Sequence, residues 1–154
     1  MPTLTVLGRR ACTWVHGVDT LPLMPLPSFD SQGDLPEGVH PATLSEVLER
    51  FGGGTTRRRQ ATDSLLHVLK LARLTRCLDR FIIFGSYVTA KAEPNDVDIF
   101  LVMNESFDVD DQTGEAREMF AHKLAQERLG ASVFWVSRLT SFASIDYLYR
   151  GMAD

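Results

Sequence analysis

Two kinds of apolar pattern divide this chain from residue 43 onward. In one, hydrophobic side chains recur at every third or fourth position, the spacing of one helix face. In the other they run on without interruption, which suits a strand covered on both faces. Thr43-Leu44-Ser45-Glu46 has the form of a capping box, and Leu44, Val47, Leu48 and Phe51 follow at helical spacing. This predicts a helix over 43–51 that stops at Gly52-Gly53-Gly54. A longer helix opens at Arg57-Arg58-Arg59 and runs to about Asp79, with Ala61, Leu65, Val68, Leu69 and Ala72 as its core stripe. Phe81 to Phe84, Val97 to Met103 and Ala131 to Val136 are the unbroken runs and predict three buried strands. Between the second and third lie a polar, acidic loop over 104–112 and a helix from Thr113 to Leu129, closed by Gly130. Phe142 to Tyr149 has the pattern of a terminal helix.

Ahead of residue 43 the pattern weakens. Leu4 to Leu7 suits a short strand, and Trp14-Val15 begins another ordered piece. From Leu21 to Pro41 the prolines at 22, 25, 27, 36 and 41 exclude a long helix or a central strand. This stretch is an extended arm over the domain, burying Leu21, Leu23, Met24, Leu26 and Phe29, or else a disordered lead-in. The organisation expected is a proline-rich arm and lead-in over 1–42 and one α/β domain over 43–154, a small mixed β-sheet with helices packed on it.

Composition narrows the class. At 154 residues, 44% hydrophobic and 23% charged, the chain can build one sizeable core. A net charge of −4 argues against a generally basic nucleic-acid binder. A local basic surface remains, because the helix from Arg57 carries Lys70, Arg73 and Arg76 while Glu93 to Glu118 is acidic. That helix has either a solvated face or a surface that meets a triphosphate, RNA or an acidic partner. Cys12 and Cys77 form no disulfide framework and no metal-ligand spacing, and no apolar run approaches membrane-spanning length. A soluble protein of the reducing cytoplasm is expected.

The chemistry concentrates where two strands meet a turn. Asp98 lies between Val97 and Ile99-Phe100-Leu101, and a carboxylate embedded in an apolar strand implies a partner, since desolvating it unpaired is costly. Strand alternation puts Asp96 on the same face, roughly 7 Å away, so the two can converge on a divalent cation. Upstream, Gly85 allows φ > 0 and close backbone approach, and Ser86 and the amides after it can donate to phosphate oxygens. A phosphate cradle beside a metal platform suits nucleotidyl or phosphoryl transfer. A plainer account makes Pro94-Asn95-Asp96 a turn and Gly85-Ser86 a strand exit, but leaves Asp98 unexplained. The three glycines at 52–54 lack the preceding strand and the Lys-Ser/Thr pair of a phosphate loop. His67 has Leu71 rather than a second ligand one turn on, so it is a helix histidine.

Gly85-Ser86 followed by Asp96-x-Asp98 within an apolar strand resembles the signature of the DNA polymerase β-like nucleotidyltransferase superfamily, particularly its minimal bacterial members. The resemblance covers residues 80–137. A softer likeness, to small and largely uncharacterised nucleotidyltransferase-like bacterial proteins, runs over Gly33-Asp34-Leu35-Pro36-x-Gly38-x-His40-x-Ala42-Thr43. The resemblance implies Mg²⁺ held by Asp96 and Asp98, a nucleoside triphosphate gripped at Gly85 and Ser86, and transfer to a hydroxyl of a protein or RNA. It also implies a partner protein, as in toxin–antitoxin or defence pairs. Active members generally add a third carboxylate from a later strand, here 131–136, which has none. Ser132 stands there instead, with Glu105, Asp110, Asp111 and Asp146 as substitutes from elsewhere, so a binding protein without catalysis is the alternative.

Overall fold

The computed structural model describes residues 3–8 and 24–138. Its framework is a five-stranded mixed sheet with helices packed on one face. Strand β1 is Thr3–Leu7, β2 Val39–Pro41, β3 Leu78–Phe84, β4 Val97–Met103 and β5 Ala131–Ser137, and their order across the sheet is β2-β1-β3-β4-β5. β1 pairs antiparallel with β2 and parallel with β3, β3 and β4 are antiparallel, and β4 and β5 are parallel. The helices are α1 Leu44–Phe51, α2 Thr56–Leu74, α3 Gly114–Met119 and α4 His122–Leu124, the last continuing into a π-helical turn over Ala125–Leu129.

Alternation sorts each strand between two unequal faces. Val97, Ile99, Leu101 and Met103 of β4 join Phe81 and Ile83 of β3 and Leu4 and Val6 of β1 beneath the helices, where Val47, Phe51, Leu65, Val68 and Met119 meet them. The opposite face carries a smaller cluster, Ile82, Phe100 and Val136 with Phe84, Val102 and Phe134 around it. Asp98 belongs to that second, thinner face, one pleat from Phe100.

Local chemistry explains most element ends. Thr43 and Glu46 form the reciprocal capping box of α1, Glu46 N donating to Thr43 Oγ1 at 3.2 Å and Thr43 N to Glu46 Oε2 at 2.8 Å. Thr43→Ala is expected to lower stability by about 1 kcal/mol, measurable as a shift in the denaturant midpoint at constant slope. The stripe Ala61, Leu65, Val68, Leu69 and Ala72 of α2 is buried throughout. Glycine 52 ends α1 as its C-cap.

From residue 43 onward, three elements differ from the pattern-based expectation. α2 stops at Leu74, not near Asp79, because Arg76 takes a left-handed φ of 58° and turns the chain into β3. Asp79 and Arg80 are therefore strand residues, and Asp79 pairs with Arg138 at 2.7 Å. The single helix expected over 113–129 is broken at Phe120-Ala121. Phe120 packs between Phe107 and Trp135, at centroid distances of 4.7 and 5.4 Å, and Trp135 Nε1 donates to its carbonyl at 3.0 Å, so that oxygen is withdrawn from the helix ladder. The third difference lies in the acidic loop over 104–112, which contains a short 3₁₀ turn at Val109–Asp111.

The proline-rich stretch is partly legible. Phe29 packs on Phe51 at 6.1 Å beneath the Arg50 guanidinium, 4.4 Å from the ring, and Leu26 also touches the core, whereas Met24 is exposed. Leu35, 2% exposed, is its main anchor, and Val39–Pro41 closes the sheet as an edge strand, where proline is tolerated. Leu21, Leu23, Trp14-Val15, Cys12, the helix expected over 142–149 and Asp146 lie outside the described residues.

Candidate functional site

The site assembles where β3 ends and β4 and β5 begin. Phe84 is the register partner of Asp98, so the chain leaves β3 directly beside the Asp98 carboxylate. Gly85 there has φ 76° and ψ −159°, a conformation essentially reserved for glycine. A Cβ at this position would lie 2.0 Å from Asp98 Oδ2. The carboxylate thus occupies the space a side chain at 85 would fill. Ser86 opens a 3₁₀ turn over Ser86–Val88, closed by Thr89, whose Oγ1 donates to Ser86 O at 2.7 Å.

Asp98 and Asp96 act on each other. Burial first, and then the Asp96 carboxylate, push the Asp98 carboxyl up to about 6, while His122 opposes them. His122 Nδ1 donates to Val133 O at 3.3 Å and its ring lies 4.7 Å from that of Phe134. On the far side of β4, Asp98 is the register partner of Ser132. Ser132 Oγ donates to Asp96 Oδ2 at 2.6 Å and accepts from Gln126 Nε2 at 2.9 Å. Gln126, Ser132 and Asp96 therefore form one chain of hydrogen bonds that fixes the Asp96 carboxylate.

Arg58 braces the turn from behind. Its guanidinium donates to the carbonyls of Phe51 at 3.0 Å, Tyr87 at 2.9 Å and Lys91 at 2.7 Å, and also to Thr89. Burial lowers its affinity for the proton, with the adjacent Tyr87 acting the other way. Tyr87 is fully buried, its hydroxyl 2.8 Å from Thr62 Oγ1, and burial pushes that phenol up. The segment after Gly85-Ser86 is thus tied to α2 by side chain-to-backbone bonds. The arm adds another tie, Ala90 N donating to Gly33 O at 2.8 Å.

The structure brings Gly85, Ser86, Asp96 and Asp98 together and sets Ser132 beside them. Among the described residues it does not bring the other carboxylates, Glu105, Asp110 and Asp111, to them. Glu105 follows the far end of β4, about 17 Å of strand from Asp98 to Met103 lying between. Asp110 and Asp111 sit in the turn beyond it, Asp110 pairing with Arg117 at 3.1 Å. Among the described residues no group of three His, Cys, Asp or Glu side chains forms a metal site. Two carboxylates, with an open cleft against Asp96, still fit Mg²⁺, which keeps several waters and commonly takes only one or two protein carboxylates. The three consecutive arginines separate: Arg58 is buried, Arg59 binds Gly54 O at 2.7 Å, and Arg57 binds Pro94 O at 3.2 Å beside the site. His67 lies on the helix surface, 3.4 Å from Glu115.

His122, Gln126 and the clamp of Arg58 do not follow from the motif. For Arg58 a signal existed, since it shares a helix face with Ala61, Thr62 and Leu65. For His122 and Gln126 none did, because the break at Phe120 that reorients them is made by Trp135.

Fold and site define a mixed α/β protein with a paired-aspartate centre at the strand ends. The chain belongs to the DUF6932 family, a family of unknown function, whose match covers residues 27–150. No curated protein and no solved structure matches the chain. Among the described residues no helix is long and apolar enough to cross a membrane.

Proposed function

We propose that this protein is a Mg²⁺-dependent nucleotidyltransferase, moving a nucleoside monophosphate from a triphosphate to a hydroxyl of a protein or RNA. The observation that carries this reading is the Asp98 carboxylate seated against Gly85 with Asp96 beside it. Asp96 and Asp98 would hold the metal, which supplies charge neutralisation for the triphosphate. Gly85 is exposed beside the Asp98 carboxylate, so its main chain is within reach of the phosphates, and Ser86 offers a hydroxyl to them. The acceptor oxygen bonds to the α-phosphorus and the bond to the bridging oxygen breaks, its electron pair leaving on pyrophosphate. The hydroxyl proton passes to solvent. The likeness of Gly85-Ser86 and Asp96-x-Asp98 to the polymerase β-like pattern supports the reading, and a cytoplasmic toxin–antitoxin or defence pair belongs to the same proposal.

A second reading, nucleotide or partner binding without transfer, is favoured by one feature. Ser132 stands beside Asp98 and Asp96 where a third carboxylate would complete the metal site. Calorimetric titration with each ribonucleoside triphosphate, in Mg²⁺ and in EDTA, tests what both readings share. Metal-dependent binding is expected in the wild type and not in Asp98→Asn; equal binding by the variant would remove the metal role. Transfer of an α-phosphate label then separates the two readings.

Asp98→Asn also carries a stability signature. The folded carboxyl titrates at about 6, above its ordinary 3.8, so ionising it works against the fold. The stability it contributes is present below the unfolded value and is lost as pH rises through about 6. Asparagine, which never ionises, should make the protein more stable than wild type by about 1 kcal/mol at pH 8 after allowance for solvent screening, and not at pH 3.5. Urea unfolding at the two pH values measures this.

A further inference from the structure

Across the sheet, Gly85 and Ser86 lie on the β3 side of Asp96 and Asp98, and the start of β5 lies on the other. On that other side a polar cleft of about 310 Å³ opens against Asp96. Its walls are Arg57, Gln60 and Ser64 of α2, Asn95 of the loop before β4, and Gln126 of the π-helical turn. Ala61 supplies the apolar contact. Arg57 is held there through its Nε, which donates to Pro94 O at 3.2 Å. Gln126 is committed to Ser132, but the carboxamides of Gln60 and Asn95 are exposed and engage no other group among the described residues.

We infer that this cleft receives the acceptor, and that the acceptor is the hydroxyl-bearing end of an RNA strand whose base is held by Gln60 and Asn95. The inference rests on the transfer reading above. In an in-line displacement the attacking oxygen arrives opposite the leaving group. With pyrophosphate leaving toward Gly85 and Ser86, the attack comes from the β5 side, where the cleft adjoins Asp96. The lining then selects the class of molecule. A primary carboxamide sets one donor beside one acceptor, the arrangement a base edge presents. Arg57 adds a cation for the adjoining phosphate. Ala61 is the one apolar side chain in the lining, which leaves little for a large apolar residue to bury, whereas Arg57 beside the two carboxamides suits a phosphate next to a base. The strand end gains one nucleotide: its terminal oxygen bonds to the α-phosphorus, pyrophosphate departs with the electron pair of the broken bond, and the hydroxyl proton goes to solvent.

The test uses the full chain and the double variant Gln60→Ala/Asn95→Ala. A short mixed-sequence oligoribonucleotide with a 5′ fluorophore and a free 3′ hydroxyl is titrated by anisotropy at low salt. Mg²⁺–triphosphate binding is measured in parallel by calorimetry. The expected result is an RNA affinity about tenfold weaker in the variant with triphosphate binding unchanged, and extension of the RNA by one labelled nucleotide in the wild type. RNA binding that is absent, or equal in the two proteins, overturns the inference. Triphosphate binding lost in the variant would make the cleft the donor nucleotide's site and overturn it too, as would label appearing on protein instead of RNA. A wild type that binds RNA through Gln60 and Asn95 but no triphosphate would overturn the transfer reading itself, and with it the acceptor role, while the other outcomes leave that reading standing.

Discussion

Alanine at position 85 is expected to abolish the proposed metal-dependent nucleotide binding and to cost the fold at least about 2 kcal/mol. Two effects combine. At φ 76° and ψ −159° any residue with a Cβ is strained, by about 1–3 kcal/mol. The new Cβ would also stand 2.0 Å from Asp98 Oδ2 and 2.9 Å from Cγ, closer than any real contact, so one of the two must move. β3 is held to β4 in register up to the preceding residue, Phe84, and the chain after Ser86 is tied to Arg58 through the Tyr87 and Lys91 carbonyls, so the backbone at 85 cannot simply retreat. The Asp98 side chain swings away, and the pair it makes with Asp96 is lost. Urea unfolding and calorimetric titration of the same preparation check the two effects. Their common origin is checked by repeating Gly85→Ala in an Asp98→Ala background, where the carboxylate clash is gone and the backbone strain remains with one tight contact of 3.2 Å to the Cβ of residue 98. A single variant within about 0.5 kcal/mol of wild type that still binds nucleotide would refute the close packing on which the site rests.

That contact illustrates what could be seen from the residues and what could not. Asp98 was visible as an ionisable group inside an apolar run, a conflict that buried strands do not tolerate without purpose. Gly85-Ser86 was visible as a turn able to approach a ligand. That Gly85 lies directly against Asp98 depends on the pairing of Phe84 with Asp98, and register between strands is not written in either strand alone. The core of α2 followed from helical period, yet its end at Leu74 did not, because Thr75-Arg76-Cys77 holds neither glycine nor proline and Arg76 takes the left-handed turn itself. The break at Phe120 is the same kind of event. Residues 115–129 contain no helix breaker, and the interruption comes from Phe107 and Trp135, which are distant in sequence. Its consequence reaches the candidate site, since it turns His122 and Gln126 toward β5. The third carboxylate sought near β5 is replaced among the described residues by Ser132, which binds Asp96 instead of joining it as a ligand of like charge. The edge strand Val39–Pro41 escaped notice because three residues carry no period.

Methionine at position 58 should produce the largest loss of stability, about 3–5 kcal/mol, without touching any group of the proposed chemistry. The Arg58 side chain is 7% exposed, and the partners of its guanidinium are main-chain carbonyls at Phe51, Tyr87, Thr89 and Lys91. Such an arrangement makes one side chain the donor for the end of α1 and for the whole turn after Ser86. Methionine keeps most of the apolar stem but removes every donor, leaving acceptors that cost about 1–3 kcal/mol each where water does not reach them. Lysine restores a charge but not the planar fork that reaches several carbonyls at once, so Arg58→Lys should recover only a small part. The turn over Ser86–Val88 then loses its anchor, and nucleotide binding should weaken by about tenfold through lost preorganisation, not through lost ligands. Hydrogen exchange distinguishes this from damage at Asp98: amides of residues 87–91 exchange faster in Arg58→Met at a denaturant-free pH, while Asp98→Asn leaves them protected. A stability loss below about 1 kcal/mol, or unchanged exchange over 87–91, would mean that the arm docked through Gly33 and Ala90 holds the turn unaided, and that Arg58 is no more than its cover.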